Sequence, residues 1–173
     1  MKTGSDLTGF ISVSGDFRSV PISDFAWSGR IRRSDRMSWV WPDGRKYDGS
    51  WVNGNRSGKG TFTWVDGETY VGNWMNDERN GQGIDTYADG DKYDGNWMNG
   101  ERSGKGTYTW ADGKKYVGDW MNHKQNGQGI CIWPDGRKYD GNWMNGERSG
   151  KGTMTWADGD RYDGIFKNGR LYT

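Results

Sequence analysis

Large apolar and small or polar residues alternate in short runs along most of this chain, and the runs return at a fixed distance. In Tyr93-Asp-Gly-Asn-Trp97 the two rings stand four apart with Gly between them. A strand sends successive side chains to opposite faces, so Tyr93, Gly95 and Trp97 share one face and Asp94 and Asn96 the other. Past an Asn-Gly turn signal spanning Asn99–Arg102, the run from Gly104 to Trp110 alternates again. Gly104, Gly106, Tyr108 and Trp110 fall on one side, and Lys105, Thr107 and Thr109 on the other. Asn-Gly and Asp-Gly are strong hairpin signals, so each such unit is predicted to be a β-hairpin.

The hairpin is copied. Tyr recurs at 47, 70, 93, 116, 139 and 162, with Trp four residues later at 51, 74, 97, 120 and 143, and Phe166 in the last such place. An Asp-Gly pair closes each unit. A second period of forty-six lies within the first: units from Tyr47, Tyr93 and Tyr139 read YDGxWxNGxRSGKGTxTWxDG, whereas those from Tyr70 and Tyr116 read YVGxWMNxxxNGQGI. Self-similarity at this spacing indicates a repeat array whose units are stable only against their neighbours. The expected fold is all-β, an elongated, twisted single-layer antiparallel meander of stacked hairpins. Gly faces rings because a bare backbone accepts a large side chain lying over it.

The pattern divides the chain into an irregular N-terminal arm with a degenerate capping unit, 1–36, and an array, 37–173. The array comprises a half unit, 37–46, full units 47–69, 70–92, 93–115, 116–138 and 139–161, and a partial unit, 162–173. Within the arm, TGFISVSGDFRSV has the form of one further hairpin around Ser14-Gly15-Asp16.

The Y-x-G-x-W…G-x-G pattern at a spacing of twenty-three, from about Met37 to Thr173, resembles the MORN (membrane occupation and recognition nexus) repeat. The resemblance implies elongated, grooved sheets of stacked hairpins and a scaffold or adaptor role, in some members with binding to acidic phospholipids. Cytoskeletal proteins and proteins of large DNA viruses belong to that family, so a cytoskeletal or viral-particle assembly is one expected setting.

Composition narrows the chemistry. The 173 residues are 31% hydrophobic and 15% aromatic, with thirty Gly and twelve Trp. Glycine at this level argues against a helical core, and aromatics at this density argue against disorder. A net charge of +1 lacks the basic field of a dedicated nucleic-acid binder. One cysteine allows no intrachain disulfide. The N-terminal sequence lacks the apolar core of a signal peptide and no stretch is apolar enough for a spanning helix, so an intracellular, soluble or peripherally associated protein is expected.

Enzyme constellations are not recognisable. The one histidine, His123, sits in a turn signal. Cys131 lies in the inward column of Phe62, Tyr108 and Met154, where it reads as a small buried hydrophobe. GERSGKGT departs from the phosphate loop, because Lys105 is followed by Gly106 and then by strand. The Asp-Gly pairs lack the clustered carboxylates of a calcium loop. No catalytic residue, cofactor or metal is therefore expected.

Two surfaces remain as candidates. The first is an aromatic-glycine groove that would hold a protein partner: Tyr47, Trp51, Trp64, Tyr70, Trp74, Asp85, Tyr87, Tyr93, Trp97, Tyr108, Trp110, Tyr116, Trp120, Trp133, Tyr139, Trp143 and Trp156. Asp85, a carboxylate among aromatics, must reach water or a donor, so the groove is expected to be open there. The second would contact acidic lipid or an acidic partner: Arg30, Arg32, Arg33, Arg36, Lys59, Lys105 and Lys151. Arg56, Arg102 and Arg148 accompany these lysines, and Asp48, Asp94 and Asp140 are expected to neutralise the row across strands. A non-catalytic scaffold binding protein is the leading reading and peripheral binding to acidic phospholipid the alternative. A carbohydrate-binding module and an idealised repeat without natural ligand follow. The aromatic C-terminal edge, Phe166 and Tyr172, also permits homo-oligomers through an array end.

Overall fold

The computed structural model describes residues 8–13, 16–21 and 36–172. These form a fifteen-stranded antiparallel sheet with no helix among the described residues. A hairpin of β1 (Thr8–Val13) and β2 (Asp16–Pro21) lies at one end, and β1 pairs with β3 (Arg36–Val40). The array proper then follows chain order: β4 (Lys46–Val52), β5 (Asn55–Thr63), β6 (Thr69–Met75), β7 (Glu78–Thr86), β8 (Lys92–Met98) and β9 (Glu101–Thr109). It continues through β10 (Lys115–Met121), β11 (Lys124–Ile132), β12 (Lys138–Met144), β13 (Glu147–Thr155), β14 (Arg161–Lys167) and β15 (Arg170–Tyr172). The predicted hairpin around Ser14-Gly15-Asp16 is β1–β2. Arg30, Arg32 and Arg33, with most of the expected capping unit, lie outside the described residues.

Two kinds of turn make the meander. From β4 onward each hairpin tip is a two-residue turn led by Asn at φ of 48–50°, followed by Gly or, in the two variant units, by Asp77 (φ 69°) and His123 (φ 65°). Two successive positive φ values define the turn whose twist matches antiparallel strands. Glu101 and Arg102, expected in the turn, therefore already belong to the return strand. Between hairpins, the Trp110 amide donates to the Lys114 carbonyl at 2.9 Å, and the Asp112 carboxylate accepts from the Lys114 amide at 2.8 Å.

Register changes once within each of the five hairpins from β4–β5 to β12–β13. Gly95 pairs with Gly106 but Trp97 pairs with Arg102, so Ser103-Gly104-Lys105 faces Asn96 alone. Gly104 has φ +69°, which absorbs the surplus chain. The surplus sorts the charges of the RSGKG segment, sending Arg to the aromatic face and Lys to the other.

Tyr47, Tyr70, Tyr93, Tyr116 and Tyr139 are fully buried in an otherwise single layer. Each ring lies flat over the two facing glycines of its own hairpin, and a Cβ built on Gly106 falls 2.6 Å from Cε2 and Cζ of Tyr93. Each hydroxyl donates to the carbonyl three residues on, Tyr93 to Asn96 at 2.9 Å. The Trp column closes the spaces between rings. Trp97 stands edge-on to Tyr93 at 5.1 Å and to Tyr70 of the preceding hairpin at 5.5 Å, and its indole donates to the Gly83 carbonyl at 3.2 Å. Repetition turns these contacts into one zipper running to Phe166. Bare backbone supplies the floor and each ring bridges two hairpins, so a one-layer sheet acquires a core.

Candidate functional site

Arginine caps this core. The guanidinium of Arg56 lies 4.2 Å from the Trp74 ring, Arg79 4.2 Å from Trp97, Arg102 4.9 Å from Trp120, and Arg148 5.5 Å from Phe166. Arg56 and Arg102 also donate to the carbonyls of Asp77 and His123 at the next tip, as Arg148 does to Gly169. Planar, weakly hydrated guanidinium suits stacking on rings while its rim makes hydrogen bonds. Arg79 differs. It donates at 2.5 Å to the Asp85 carboxylate, which is wholly buried between Tyr70 and Tyr93 in the pairing register.

Asp85 therefore reaches a donor and not water, and the groove is closed where it was expected to be open. Its second oxygen has no hydrogen-bond partner among the described residues. Burial pushes its carboxyl pKa up, against the pull of Arg79. Glu68, whose carboxylate lies 3.9 Å from Arg79, is raised by burial and then by Asp85.

The opposite face carries a row of hollows. Three hollows of about 390, 500 and 580 Å³ abut along the array. The first two share Gln82 and Asp94, and the second and third share Gln128 and Asp140, so they form one trough. Its floor follows a single register across ten strands: Asp48–Thr61, Val71–Ile84, Asp94–Thr107, Val117–Ile130 and Asp140–Thr153. The forty-six-residue period thus writes polar and apolar pairs alternately. Met75, Met98, Met121 and Met144 form a rim on the same face, each 48–56% exposed. A second rim carries Lys46, Lys92, Lys115, Lys138 and Arg161, with Thr or Ile between them in the register.

Comparison with known proteins adds the family. The profile of the MORN repeat matches residues 47–69, 70–92, 93–115, 116–136 and 139–161. The chain belongs to the MORN repeat family. A search of curated proteins gives no match. Among solved structures, the SAS-4 (dCPAP) TCP domain of Drosophila melanogaster, in complex with a proline-rich motif of Ana2 (dSTIL), is similar in fold. It has a TM-score of 0.50 and 8% identity, over 76% of this chain and 72% of that one. The G-box domain of the microcephaly protein CPAP aligns over 78% of this chain and 82% of its own, with a TM-score of 0.42 and 15% identity.

The MORN array redistributes the residues expected to contact a partner. Tyr47, Tyr70, Tyr93, Tyr116 and Tyr139, with Trp74, Trp97, Trp120, Trp143 and Asp85, are buried and cannot form a contact surface. They hold the sheet together, since their rings fill the space above glycine. Trp51, Trp64, Tyr87, Tyr108, Trp110, Trp133 and Trp156 are half-buried beside them. Lys105 forms an ion pair with Asp119 at 2.6 Å and not with Asp94, because the surplus residues shift it opposite the next hairpin. Arg36 pairs with Asp48 at 2.8 Å, while Lys59 and Lys151 have no carboxylate within 4.0 Å among the described residues. The exposed Val71 and Val117 and the Met rim of the trough were not among the residues expected to contact a partner. The Met that follows Trp74, Trp97, Trp120 and Trp143 was the available signal.

Among the described residues, no three His, Cys, Asp or Glu side chains gather to hold a metal, and no helix is long and apolar enough to cross a membrane. Cys131 is buried, and desolvation pushes its thiol pKa up to about 11.

Proposed function

We propose that this MORN array is a non-catalytic scaffold that holds protein partners in its trough, on the face opposite the aromatic core. One observation carries this reading: Val71, Met75, Met98, Val117, Met121, Ile132, Met144 and Ile165, all exposed, stand on that face. Exposed apolar side chains gathered on one face mark interaction sites, and Met adapts to varied partners. The SAS-4 domain, similar in fold, is in complex with a proline-rich motif, which is in keeping with a protein partner for a sheet of this architecture. Capture from the native source should compare wild type, Ile130→Lys in the trough, and Trp110→Ala in the half-buried aromatic row. Partners lost with Ile130→Lys and kept with Trp110→Ala support the trough. The reverse pattern, with both variants folded, moves the site to the aromatic face.

A second reading, peripheral binding to acidic phospholipid, is favoured by the regular cation row Lys46, Lys92, Lys115, Lys138 and Arg161. Co-sedimentation with phosphatidylserine vesicles should then occur at low salt and fade at 0.5 M salt, as expected for screened surface charge. Absence of binding at low salt removes this reading.

A further inference from the structure

The trough floor is complementary to itself. At its middle, Asp94 of β8 faces Thr107 of β9. Outward from that line stand Ile84 on β7 and Val117 on β10, then Val71 on β6 and Ile130 on β11. Thr61 on β5 and Asp140 on β12 follow. Reading away from the β8–β9 line in either direction, aliphatic therefore answers aliphatic, while carboxylate answers hydroxyl. The lysine rim beside the floor is built alike: Lys92 of β8 answers Thr109 of β9, and Lys115 of β10 answers Thr86 of β7.

A second copy laid face to face on the first, turned about a two-fold axis parallel to the strands between β8 and β9, exploits this order. Such an axis reverses the strand order and keeps each residue's place along its strand, so β7 lies on the second copy's β10. Ile84 then meets the second copy's Val117, Val71 its Ile130, and Asp94 its Thr107. Asp119 and Lys105 meet Gln82 and Asn96. In the floor and the lysine rim of β4–β13, every charge stands on the first strand of its hairpin, and an axis inside a hairpin lays first strands on second strands. Other placements fail. An axis between β9 and β10 lays Asp94 on Ile130 and Ile84 on Asp140, burying carboxylates against aliphatics. An axis along β8 lays Asp94 and Lys92 each on its own copy. An axis along the array lays Val117 on Asp119 and Val71 on Asn73. Inside a neighbouring hairpin, the axis sets Val117 on Ser38 or Ile84 on Asp163. Aligned sheets cross at about −30°, which confines close contact to the central strands. The six strands β6 to β11 give a footprint of roughly 650 Å² per copy, close to the roughly 800 Å² per partner of a specific interface.

We propose, resting on the trough as the docking surface, that its occupant is a second copy of this chain, packed face to face about that axis. Val71, Ile84, Val117 and Ile130 of both copies form the apolar centre, and Val71 and Val117, now half exposed, lose their contact with water. Asp94, which has no cation within 4.0 Å among the described residues, accepts a hydrogen bond from the second copy's Thr107 hydroxyl.

Sedimentation equilibrium of the full chain tests this, with circular dichroism verifying each variant's fold. The wild type is expected to sediment as a dimer. Ile84→Asp and Val117→Lys should each weaken it roughly a hundred-fold, because the two-fold buries each new charge twice against an aliphatic side chain. Combined in one chain, the two changes set opposite charges against each other across the interface and should restore the dimer to within about ten-fold of wild type. Positions 84 and 117 lie three strands apart in one chain, about 14 Å, so this rescue requires a second copy. Trp110→Ala, on the aromatic face, should leave the dimer unchanged. A wild type that is monomeric at about 100 μM overturns the proposal. So does a dimer that both single changes leave intact, or one that the double variant fails to restore. If the wild type is monomeric while Ile130→Lys still releases native partners, the trough stands as a docking surface and the second copy falls. A dimer restored in the double variant, with native partners that survive Ile130→Lys, supports the second copy and places those partners outside the trough.

Discussion

Gly106→Ala adds one methyl group where Tyr93 already lies. The new Cβ would sit 2.6 Å from Cε2 and Cζ of the ring, well inside contact distance. The ring has little room to move: it is fully buried, held edge-on by Trp97 at 5.1 Å and Trp120 at 5.3 Å, and its hydroxyl bonds the Asn96 carbonyl. Ala in an open extended site would stabilise by about 0.5 kcal/mol through the unfolded chain. Against this stand overpacking strain of about 1–3 kcal/mol, a hydroxyl hydrogen bond of about 1 kcal/mol, and about 1 kcal/mol from at least one displaced ring pair. The net loss is about 3 kcal/mol. Urea unfolding followed by tryptophan fluorescence should be run on wild type, Gly106→Ala, Tyr93→Ala and the double variant. If the ring is the obstacle, Gly106→Ala costs less than about 0.5 kcal/mol in the Tyr93→Ala background, a coupling of roughly 3 kcal/mol. An equal cost in both backgrounds refutes the ring-over-glycine account.

Tyr70→Phe keeps the ring and removes the bond to the Asn73 carbonyl; a loss of about 1 kcal/mol in urea unfolding is expected. Asp85→Phe copies Phe62 of the preceding repeat, over which Arg56 stacks at 4.9 Å, so Arg79 gains a ring in place of its carboxylate partner and the cost of desolvating the carboxyl is removed; a gain of about 1 kcal/mol in urea unfolding is expected. The sign of the pH effect follows from the raised Asp85 pKa: the folded state keeps a proton that the unfolded state releases. Wild-type stability therefore falls as pH rises from the ordinary aspartate range through the raised folded value, and Asp85→Phe should flatten that fall. An unchanged slope between pH 4 and pH 7 contradicts it. Cys131, with its thiol pKa pushed up to about 11 and its side chain buried, should resist a disulfide reagent at pH 8 and react only after urea unfolding.

Much of the architecture was readable because it is local and copied. Alternation placed Tyr93 and Trp97 on one face, and two-residue Asn-led tips require nothing beyond their own φ values. Burial of the Tyr column was less legible. The sequence shows that a ring faces glycine, but not that the ring lies flat on two glycines and is walled by the next hairpin's Trp. That packing converted expected contact residues into core. The half-buried row of Trp64, Trp110 and Trp133 differs from the buried Trp column only in strand position.

By itself, then, the sequence determined the period, the hairpins, their order and the division into two faces, all consequences of covalent neighbours and turn chemistry. Only the tertiary structure decided which face is hollow, where each charge points and what Asp85 touches. The surplus residues at Gly104 separate Arg102 from Lys105, and pairing between successive hairpins sets the Val117–Ile130 pair among Thr107, Asp94 and Asp140. Such placements depend on register and packing between hairpins, which single-strand alternation does not encode.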